Sequence, residues 1–200
     1  MARLPRSFFA RPTLEVARAL LGQRLVRLRS RERLAGLIVE AEAYIGQEDM
    51  ACHAHAGLTA RNKVLFGPPG HAYVYFTYGM HWLLNFVTEA DGFPAAVLVR
   101  ALVPVSGVAT MRRLRHDRPD QILTDGPAKL TQALDIDGEF NGSDLCAARA
   151  SLFVESMEPL PESAVAYGPR VGVNYAPEPW KSVPWNLKVN VESIGEIDVT

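Results

Sequence analysis

Hydrophobic and polar positions along the first 44 residues predict one helix and two strands. Residues 12–21 are typical of a short helix, with Thr13 as its N-cap and Gly22 at its end. Residues 23–29 and 34–44 are typical of two strands joined by a charged turn. The chain therefore starts with a helix followed by a β-hairpin.

The middle of the chain combines a long loop with the strongest strand pattern. Residues 46–70 are polar and rich in glycine and proline, which predicts a loop, and loops of this length in compact domains are usually functional. Residues 72–78 are aromatic and extended, residues 82–88 and 93–102 are apolar, and a turn signal lies at 91–92. This order predicts an antiparallel meander.

Short elements fill the remainder. Residues 106–116 have helical character and are basic, and a second short helix is predicted over 126–134, capped by Asp125. Three short strand-like segments follow, at 151–155, 170–174 and 187–191. Helices and strands mix without a regular βαβ alternation, so we expect an α+β fold.

Composition fits one domain over residues 1–200. Hydrophobic residues make up 48% and charged residues 22%, as in ordinary globular chains. Two cysteines are too few for a disulfide framework, which favours a reducing, intracellular setting. No apolar run approaches the roughly 18 residues of a membrane span.

The net charge of −1 is unevenly distributed along the chain. Residues 1–34 carry nine arginines against Glu15 and Glu32, a local charge of +7, so the remaining residues sum to −8. DNA-binding proteins need a basic face, and this segment could supply one. Alternatively, these arginines are ordinary surface charges whose apolar stems pack against the protein.

Two carboxylates share one face of the second predicted strand. Alternate strand residues point the same way, so Glu40, Glu42 and Tyr44 face one side and the residues between them face the core. A carboxylate beside a core has its protonation under the control of the protein, as a general base requires. The alternative is a solvated strand face, which is the usual place for charged strand residues.

A carboxylate and histidine cluster follows in the predicted loop. Glu42, Asp49, His53 and His55 could form the metal site of a hydrolase, although their spacing matches no familiar zinc signature. The pattern leaves both a metal site and ordinary hydrogen-bonding histidines open.

Aromatic residues dominate the segment after the loop. Tyr73 and Tyr75 share a strand face, and Tyr78 precedes a turn from which it could project outward. Displayed aromatics beside basic residues suit stacking on nucleobases, and arginines and a lysine lie nearby, at 61–63 and 112–115.

An ordered series of motifs runs from about residue 8 to about residue 190. The motifs are Val39-Glu40-Ala41-Glu42-Ala43-Tyr44-Ile45-Gly46, Glu48-Asp49, His53, Arg61-Asn62, Leu65-Phe66-Gly67, Tyr73-Val74-Tyr75, Tyr78-Gly79-Met80, Asn85, Leu98-Val99-Arg100-Ala101, Gly126-Pro127-Ala128-Lys129-Leu130 and Arg170-Val171-Gly172-Val173. In order and spacing the chain resembles the alkyladenine (3-methyladenine) DNA glycosylase family. Each motif alone is weakly specific, whereas the whole series is specific.

The resemblance implies a role for each matching position. Glu42 matches the glutamate that activates the hydrolytic water, Arg100 an arginine beside that water, and Tyr78 a wedge that fills the gap in the duplex. The implied base pocket consists of Tyr44, His53, Tyr75 and Asn85. Expected contacts to the DNA backbone come from Arg61, Asn62, Lys129 and Arg170.

The resemblance also implies a fold and an activity. The fold is a single compact domain with a curved, largely antiparallel β-sheet flanked by short helices. The activity is base-excision repair: an alkylated or deaminated purine is flipped out of double-stranded DNA, and its N-glycosidic bond is hydrolysed without a lyase step. The implied enzyme is a monomer without metal or organic cofactor, in the cytoplasm of a prokaryote or the nucleus of a eukaryote.

Three positions depart from the family pattern. Ala41 stands where threonine is commoner, Gln47 where proline is commoner, and Leu58 where arginine is frequent. Two other functions stay open from the residues: a metal-dependent hydrolase, and a non-catalytic protein that binds damaged DNA.

Overall fold

The computed structural model describes residues 1–190, which form eight strands and four short α-helices. The strands are β1 (Arg24–Arg29), β2 (Glu32–Ile45), β3 (Ala72–Thr77), β4 (His81–Val87), β5 (Ala95–Ser106), β6 (Leu152–Glu155), β7 (Val165–Gly168) and β8 (Asn186–Val189). The helices are α1 (Arg6–Phe9), α2 (Thr13–Leu20), α3 (Val108–Leu114) and α4 (Pro127–Ala133). Short 3-10 helices lie at His53–Ala56, Lys63–Phe66, Asp120–Ile122, Gly138–Phe140 and Glu162–Ala164.

All eight strands belong to one antiparallel sheet. Six of them follow the order β3-β4-β5-β2-β1-β6, and β8 joins through β2 and carries β7 on its other edge. The meander predicted from the aromatic and apolar segments is β3-β4-β5, and the predicted N-terminal hairpin is β1-β2. The α+β prediction is therefore confirmed.

Strand β2 changes neighbours along one edge, and this change places the site. Its N-terminal half pairs with β1 over residues 32–37, whereas β8 pairs with it over Glu40–Glu42. The opposite edge pairs with β5 along nearly its whole length. Residues 40–42 are thus enclosed by a strand on each side, one of them from the far end of the chain.

The pairing of β2 with β5 is irregular at the same place. The register shifts twice between Ile38 and Ala41, and the pairing skips Val39 on β2 and Arg100 on β5. Register irregularities of this kind re-aim side chains and are common beside active sites. Here the irregularity lies where Arg100 meets the two carboxylates of β2.

The core lies between the sheet and the helices. Val16, Ala17 and Leu20 of α2 are fully buried and belong to the same cluster as Ala41 and Ala43. Burying a side chain of valine or leucine size contributes about 1.5–3 kcal/mol. The inward-facing positions predicted for β2 are therefore in the core, and they anchor Glu42 between them.

Two predicted helix caps are wrong. Pro12 is the N-cap of α2, and the backbone N and the hydroxyl of Thr13 bind Oε1 of Glu89 at 2.8 and 2.7 Å, so a tertiary contact replaces the cap. Gly126 is the N-cap of α4, and Asp125 pairs with Lys129.

In the last third, one predicted strand is wrong and one strand was missed. Residues 170–174 form turns, because the side chain and the backbone of this segment bind groups around Glu42 instead of a neighbouring strand. Strand β7 was not predicted. The predicted strand at 187–191 corresponds to β8, and its last residue lies outside the described residues, as do the other positions beyond 190. Within residues 1–190, no helix has the length and apolar content needed to cross a bilayer.

Candidate active site

A cavity of about 380 Å³ opens between the meander, the end of β2 and two loops. Of the residues proposed from sequence for catalysis, the pocket and the wedge, six line it: Tyr44, His53, Tyr75, Tyr78, Asn85 and Arg100. The seventh, Glu42, lies directly behind this wall. Residues separated by up to 58 positions in the chain thus converge on one space.

The Glu42 carboxylate is fully buried and held by four donors. Oε1 accepts hydrogen bonds from the Val171 backbone N at 2.7 Å and from Asn186 Nδ2 at 3.0 Å. Oε2 accepts from the Tyr44 hydroxyl at 2.9 Å and from Arg100 Nη1 at 3.4 Å. Tyr44, Arg100 and Val171 line the cavity, so Glu42 is one hydrogen bond away from it.

Glu40 forms the second half of the charged cluster. Its Oε1 accepts from Arg100 Nε at 2.7 Å and from Asn186 Nδ2 at 2.9 Å, and Lys188 Nζ lies 3.8 Å from Oε2. Burial opposes ionisation, but the hydrogen bonds from Asn186 and Arg100 outweigh it and lower the pKa of Glu40. Burial likewise opposes the charge of Arg100, yet Glu42 and Glu40 raise its pKa. The cluster is held as ion pairs.

The opposite wall of the cavity is aromatic. Nδ1 of His53 lies 2.8 Å from the Tyr73 hydroxyl, and the His53 ring meets Tyr75 edge-on at a centroid distance of 4.4 Å. Burial, with the nearby positive charge of Arg61, lowers the pKa of His53. Asn85 donates from Nδ2 to the Tyr73 carbonyl at 3.1 Å. Histidine in this setting is a neutral hydrogen-bonding group at neutral pH.

Tyr44 and Tyr75, which line the cavity, stay protonated at neutral pH. Burial raises the pKa of Tyr75 to about 12, and burial together with the charge of Glu42 raises the pKa of Tyr44 well above its usual value. The Tyr44 hydroxyl is therefore a hydrogen-bond donor to Glu42.

Tyr78 stands at the tip of the β3-β4 hairpin beside the cavity mouth. Tyr78 and Gly79 both have positive φ, +50° and +67°, and the Met80 N donates to the Thr77 carbonyl, which together define a type I′ turn. A bulky residue with positive φ is uncommon and is strained. The turn leaves the Tyr78 side chain 86% exposed.

Most of the chain is similar to proteins of one known family. The profile of the family described as methylpurine-DNA glycosylase (MPG) matches residues 7–192. The chain belongs to the methylpurine-DNA glycosylase family. A relative from Methanocella arvoryzae is 53% identical over 186 residues, covering 90% of this chain and 92% of its own.

Two further relatives extend the comparison. A protein from Carboxydothermus hydrogenoformans is 51% identical over 86% of this chain and 88% of its own, and one from Myxococcus xanthus is 50% identical over 93% and 89%. All three bear the provisional name 3-methyladenine DNA glycosylase. This methylpurine-DNA glycosylase is thus an enzyme whose substrate is DNA.

Of the glycosylase residues that are predicted to contact the DNA backbone, some are accessible to solvent and others are buried. Arg61 is exposed, as such a contact requires, and Lys129 is partly exposed and paired with Asp125. Asn62 is buried, and its amide donates to the carbonyls of His53 and Gly57 at 2.9 and 2.8 Å. Arg170 is buried against Asp49. Their burial contradicts the predicted phosphate contacts for Asn62 and Arg170, because neither offers an accessible donor.

Several arginines of the N-terminal segment of the glycosylase form ion pairs with acidic residues of the same protein. Arg18 pairs with Glu162, Arg29 with Asp135 and Arg33 with Glu155. Strands β1 and β6 lie at the end of the sheet remote from the β3-β4 hairpin. These three arginines match the alternative in which N-terminal arginines pack and pair on the surface.

The sequence did not predict how four positions support the site of this glycosylase. Asn186 was not singled out, the Val171 backbone N was not expected to bind Glu42, and Asp49 and Arg170 were not expected to pair with each other. Asn186 and Val171 lie 144 and 129 residues from Glu42, so no local pattern connects them. The signal available for Asn186 was its position as a polar residue immediately before the predicted strand at 187–191.

The four residues of the metal-hydrolase alternative do not converge. Both carboxylate oxygens of Asp49 bind Arg170, and His55 faces the Gln47 carbonyl with Nδ1 at 3.0 Å. Across residues 1–190, no three His, Cys, Asp or Glu side chains are grouped as metal ligands. Glu42 and His53 instead serve opposite walls of the cavity.

Ala41, Gln47 and Leu58, which depart from the family pattern, lie outside the site. Ala41 is buried in the core, and Gln47 and Leu58 are exposed in the loop at 46–70. Within the described chain, none of the three lines the cavity.

Proposed function

We propose that this glycosylase flips alkylated or deaminated purines out of duplex DNA into the cavity and hydrolyses the N-glycosidic bond with a water activated by Glu42. The substrate class is 3-methyladenine, 7-methylguanine, hypoxanthine and ethenoadenine. The observation that carries this proposal is the buried Glu42 carboxylate, which is held behind an aromatic cavity by donors that themselves line it.

The cavity suits an extruded purine, and above all a cationic one. Extrusion costs a few kcal/mol of stacking and pairing, which is less for damaged or mispaired bases. A purine alkylated at N3 or N7 is positively charged, and the faces of Tyr44 and Tyr75 attract such a ring by about 0.5–2 kcal/mol each. His53 remains neutral because its pKa is lowered, so it adds no positive charge to repel the base.

The proposed reaction needs one water and one base. The bond from C1′ to the purine nitrogen breaks, and its electron pair leaves with the purine while the sugar gains oxocarbenium character. An alkylated, cationic purine leaves as a neutral base, whereas a neutral purine such as hypoxanthine leaves as an anion and takes up a proton. The water oxygen bonds to C1′, and its proton passes to Glu42. In this proposal the water approaches on the side of Arg100, whose Nη1 makes the longest of the four contacts to Glu42, 3.4 Å to Oε2.

Hydrolysis without a covalent enzyme–DNA intermediate fits the cavity wall. Among the described residues that line the cavity there is no lysine to form a Schiff base with the sugar. Borohydride treatment during the reaction is therefore expected to trap no enzyme–DNA adduct, and a trapped adduct would contradict this part of the proposal.

The test is base release from a duplex with one hypoxanthine or ethenoadenine, and from methylated DNA, under single-turnover conditions. Glu42→Gln should slow release by about 10²–10⁴-fold, the usual contribution of a general base. Glu48→Gln is the matched control, because Glu48 is exposed and outside the cavity wall. Equal rates for wild type and Glu42→Gln would remove Glu42 from the mechanism.

The same assay separates catalysis from mere recognition. Tight binding to a duplex with an abasic-site analogue, without any base release by wild-type protein, would indicate a non-catalytic damage-binding protein. Rates measured across the four lesions rank the substrates.

We expect a monomer that binds double-stranded DNA, as the family resemblance implies. We expect it where the chromosome is, in the cytoplasm of a prokaryote or the nucleus of a eukaryote. Analytical ultracentrifugation of the enzyme, alone and bound to a lesion duplex, measures how many copies of the chain are present, and one copy is expected in each case.

A further inference from the structure

Asp49 and Arg170 form an ion pair whose side chains are both completely buried. Nη1 of Arg170 lies 2.6 Å from Oδ2 of Asp49, and Nη2 lies 2.8 Å from Oδ1, so the contact is bidentate. Removing two charges from water is costly, and a buried ion pair is often no more stabilising than apolar residues of the same volume. Its position suggests a role besides stability.

Asp49 links two parts of the cavity wall. Its Oδ2 also accepts from the Ile45 backbone N at 3.2 Å, and its Oδ1 from the Ala51 backbone N at 3.0 Å. Ile45 ends β2 just after Tyr44, and Ala51 lies two residues before His53. The carboxylate therefore fixes the start of the loop relative to the strand that carries Glu42.

Arg170 supports the same wall from behind. Nη1 donates to the Ala43 carbonyl at 3.0 Å and Nη2 to the Trp180 carbonyl at 3.1 Å. The guanidinium carbon lies 4.6 Å from the centre of the Tyr44 ring and 5.0 Å from that of Trp185. Both terminal nitrogens are therefore hydrogen-bonded, Nε has no hydrogen-bond partner, and the Tyr44 ring packs against the guanidinium.

The residue after Arg170 donates directly to the proposed base. The Val171 backbone N is 2.7 Å from Oε1 of Glu42, the shortest of the four contacts to this carboxylate. Arg170 therefore lies between two of the Glu42 donors, the Tyr44 hydroxyl through ring contact and the Val171 amide through the backbone.

We infer that the Asp49–Arg170 ion pair is a positioning device that holds the Tyr44 hydroxyl and the Val171 amide on Glu42, and thereby sets the rate of glycosidic cleavage rather than the affinity for DNA. This inference rests on the proposed function, in which Glu42 activates the water. It assigns Arg170 to the reaction although the side chain touches neither the cavity nor the solvent.

The test uses Arg170→Lys in the full-length enzyme. Lysine keeps the charge but cannot make the bidentate and stacked contacts of a guanidinium. Single-turnover base release should slow by about 10- to 100-fold, the scale of a misplacement of about 1 Å at a reacting centre. Affinity for a duplex with an abasic-site analogue should not change.

A double-mutant cycle with Glu42→Gln distinguishes positioning from a general structural defect. If Arg170 acts through Glu42, then Arg170→Lys slows the wild-type background but has no further effect on the residual rate of Glu42→Gln. Equal slowing in both backgrounds would overturn the inference. If Glu42→Gln itself matches wild type, the proposed function fails instead, so the two failures are distinguishable.

Two additions keep the test decisive if folding is impaired. Titration with the abasic-site duplex gives the concentration of binding-competent enzyme, so that rates refer to folded protein. The near-isosteric Asp49→Asn provides a second variant of the ion pair. Val154→Ala, a buried residue on β6, controls for lost stability alone and should leave the rate per folded enzyme unchanged. If neither ion-pair variant binds the duplex, or if Val154→Ala slows release equally, the inference is wrong.

Discussion

The Nε of Arg100 lies 2.7 Å from Oε1 of Glu40, closer than any Arg100 nitrogen comes to Glu42, where the distance is 3.4 Å. Glu40 thus holds the guanidinium, and Glu42 keeps a looser contact with it. The strand pattern places Glu40 and Glu42 on the same face and does not distinguish them. Their contacts with Arg100 do: Glu40 holds the guanidinium, and Glu42 is the proposed base.

Glu40→Gln should reduce the single-turnover rate of base release less than Glu42→Gln does. Loss of the charged partner frees Arg100, and a reduction of about tenfold corresponds to about 1.4 kcal/mol, within the range of a hydrogen bond to a charged group. A rate lower than that of Glu42→Gln would reverse the assignment of the base.

Stability should depend on pH through His53. Its pKa is lowered in the folded protein by burial and by Arg61, while the unfolded chain titrates near its ordinary pKa of about 6.5. Between these two values the unfolded state binds more protons, so the free energy of unfolding falls as pH decreases below about 6.5.

Urea unfolding at about pH 7.5 and about pH 5 measures this effect. His53→Gln should lose less stability over this interval than wild type does, because the titrating group is gone. His55→Gln is the control, since His55 is exposed, and it should follow wild type. Identical pH dependence in His53→Gln and wild type would contradict the lowered pKa.

Tyr78→Ala should weaken the capture of a flipped base more than overall affinity for DNA. The side chain is 86% exposed on the hairpin tip, so its removal costs little core packing, while aromatic stacking on a base contributes about 1–3 kcal/mol. Binding to a lesion duplex and to an undamaged duplex is compared.

Met80→Ala is the matched control on the same turn, 68% exposed, and should affect lesion selectivity less. A collapse of undamaged-duplex binding with unchanged selectivity would show that Tyr78 is not the wedge.

Arg61→Gln should reduce the salt dependence of DNA binding. Each phosphate contact contributes about −0.9 to the slope of log K against log salt, so the slope should become shallower by about that amount. Arg61 is exposed beside Tyr75, 5.6 Å from its ring centre, whereas Arg29 lies on the remote strand β1. Arg29→Gln should therefore leave the slope unchanged, and an equal change in both would exclude a local contact.

Local patterning identified the strands that carry the site. The alternation around Glu42 predicted which side chains of β2 face the core, and Ala41 and Ala43 lie there. The aromatic segment predicted β3 and the turn that exposes Tyr78. Such features depend on neighbours within a few residues, which is why the sequence shows them.

The supports of the site were invisible because they arise from pairing over long distances. Asn186 reaches Glu42 only because β8 pairs with β2 where β1 has ended. Arg170 lies in a segment with strand-like composition and was predicted to contact DNA phosphates. In the structure it forms a buried ion pair with Asp49 instead. In the sequence, a polar residue that is buried against a partner far along the chain cannot be distinguished from a polar residue on the surface.

The pairing of β8 with β2 also has a consequence during translation. Glu42 leaves the ribosome 144 residues before Asn186, an interval of roughly 7–29 s at about 5–20 residues per second. Until β8 is made, β2 presents an open edge beside Glu42, and the donor Asn186 does not yet exist. A nascent chain can therefore fold its N-terminal hairpin early without the full set of Glu42 donors, so we expect base release only once almost all of the described chain has been synthesised.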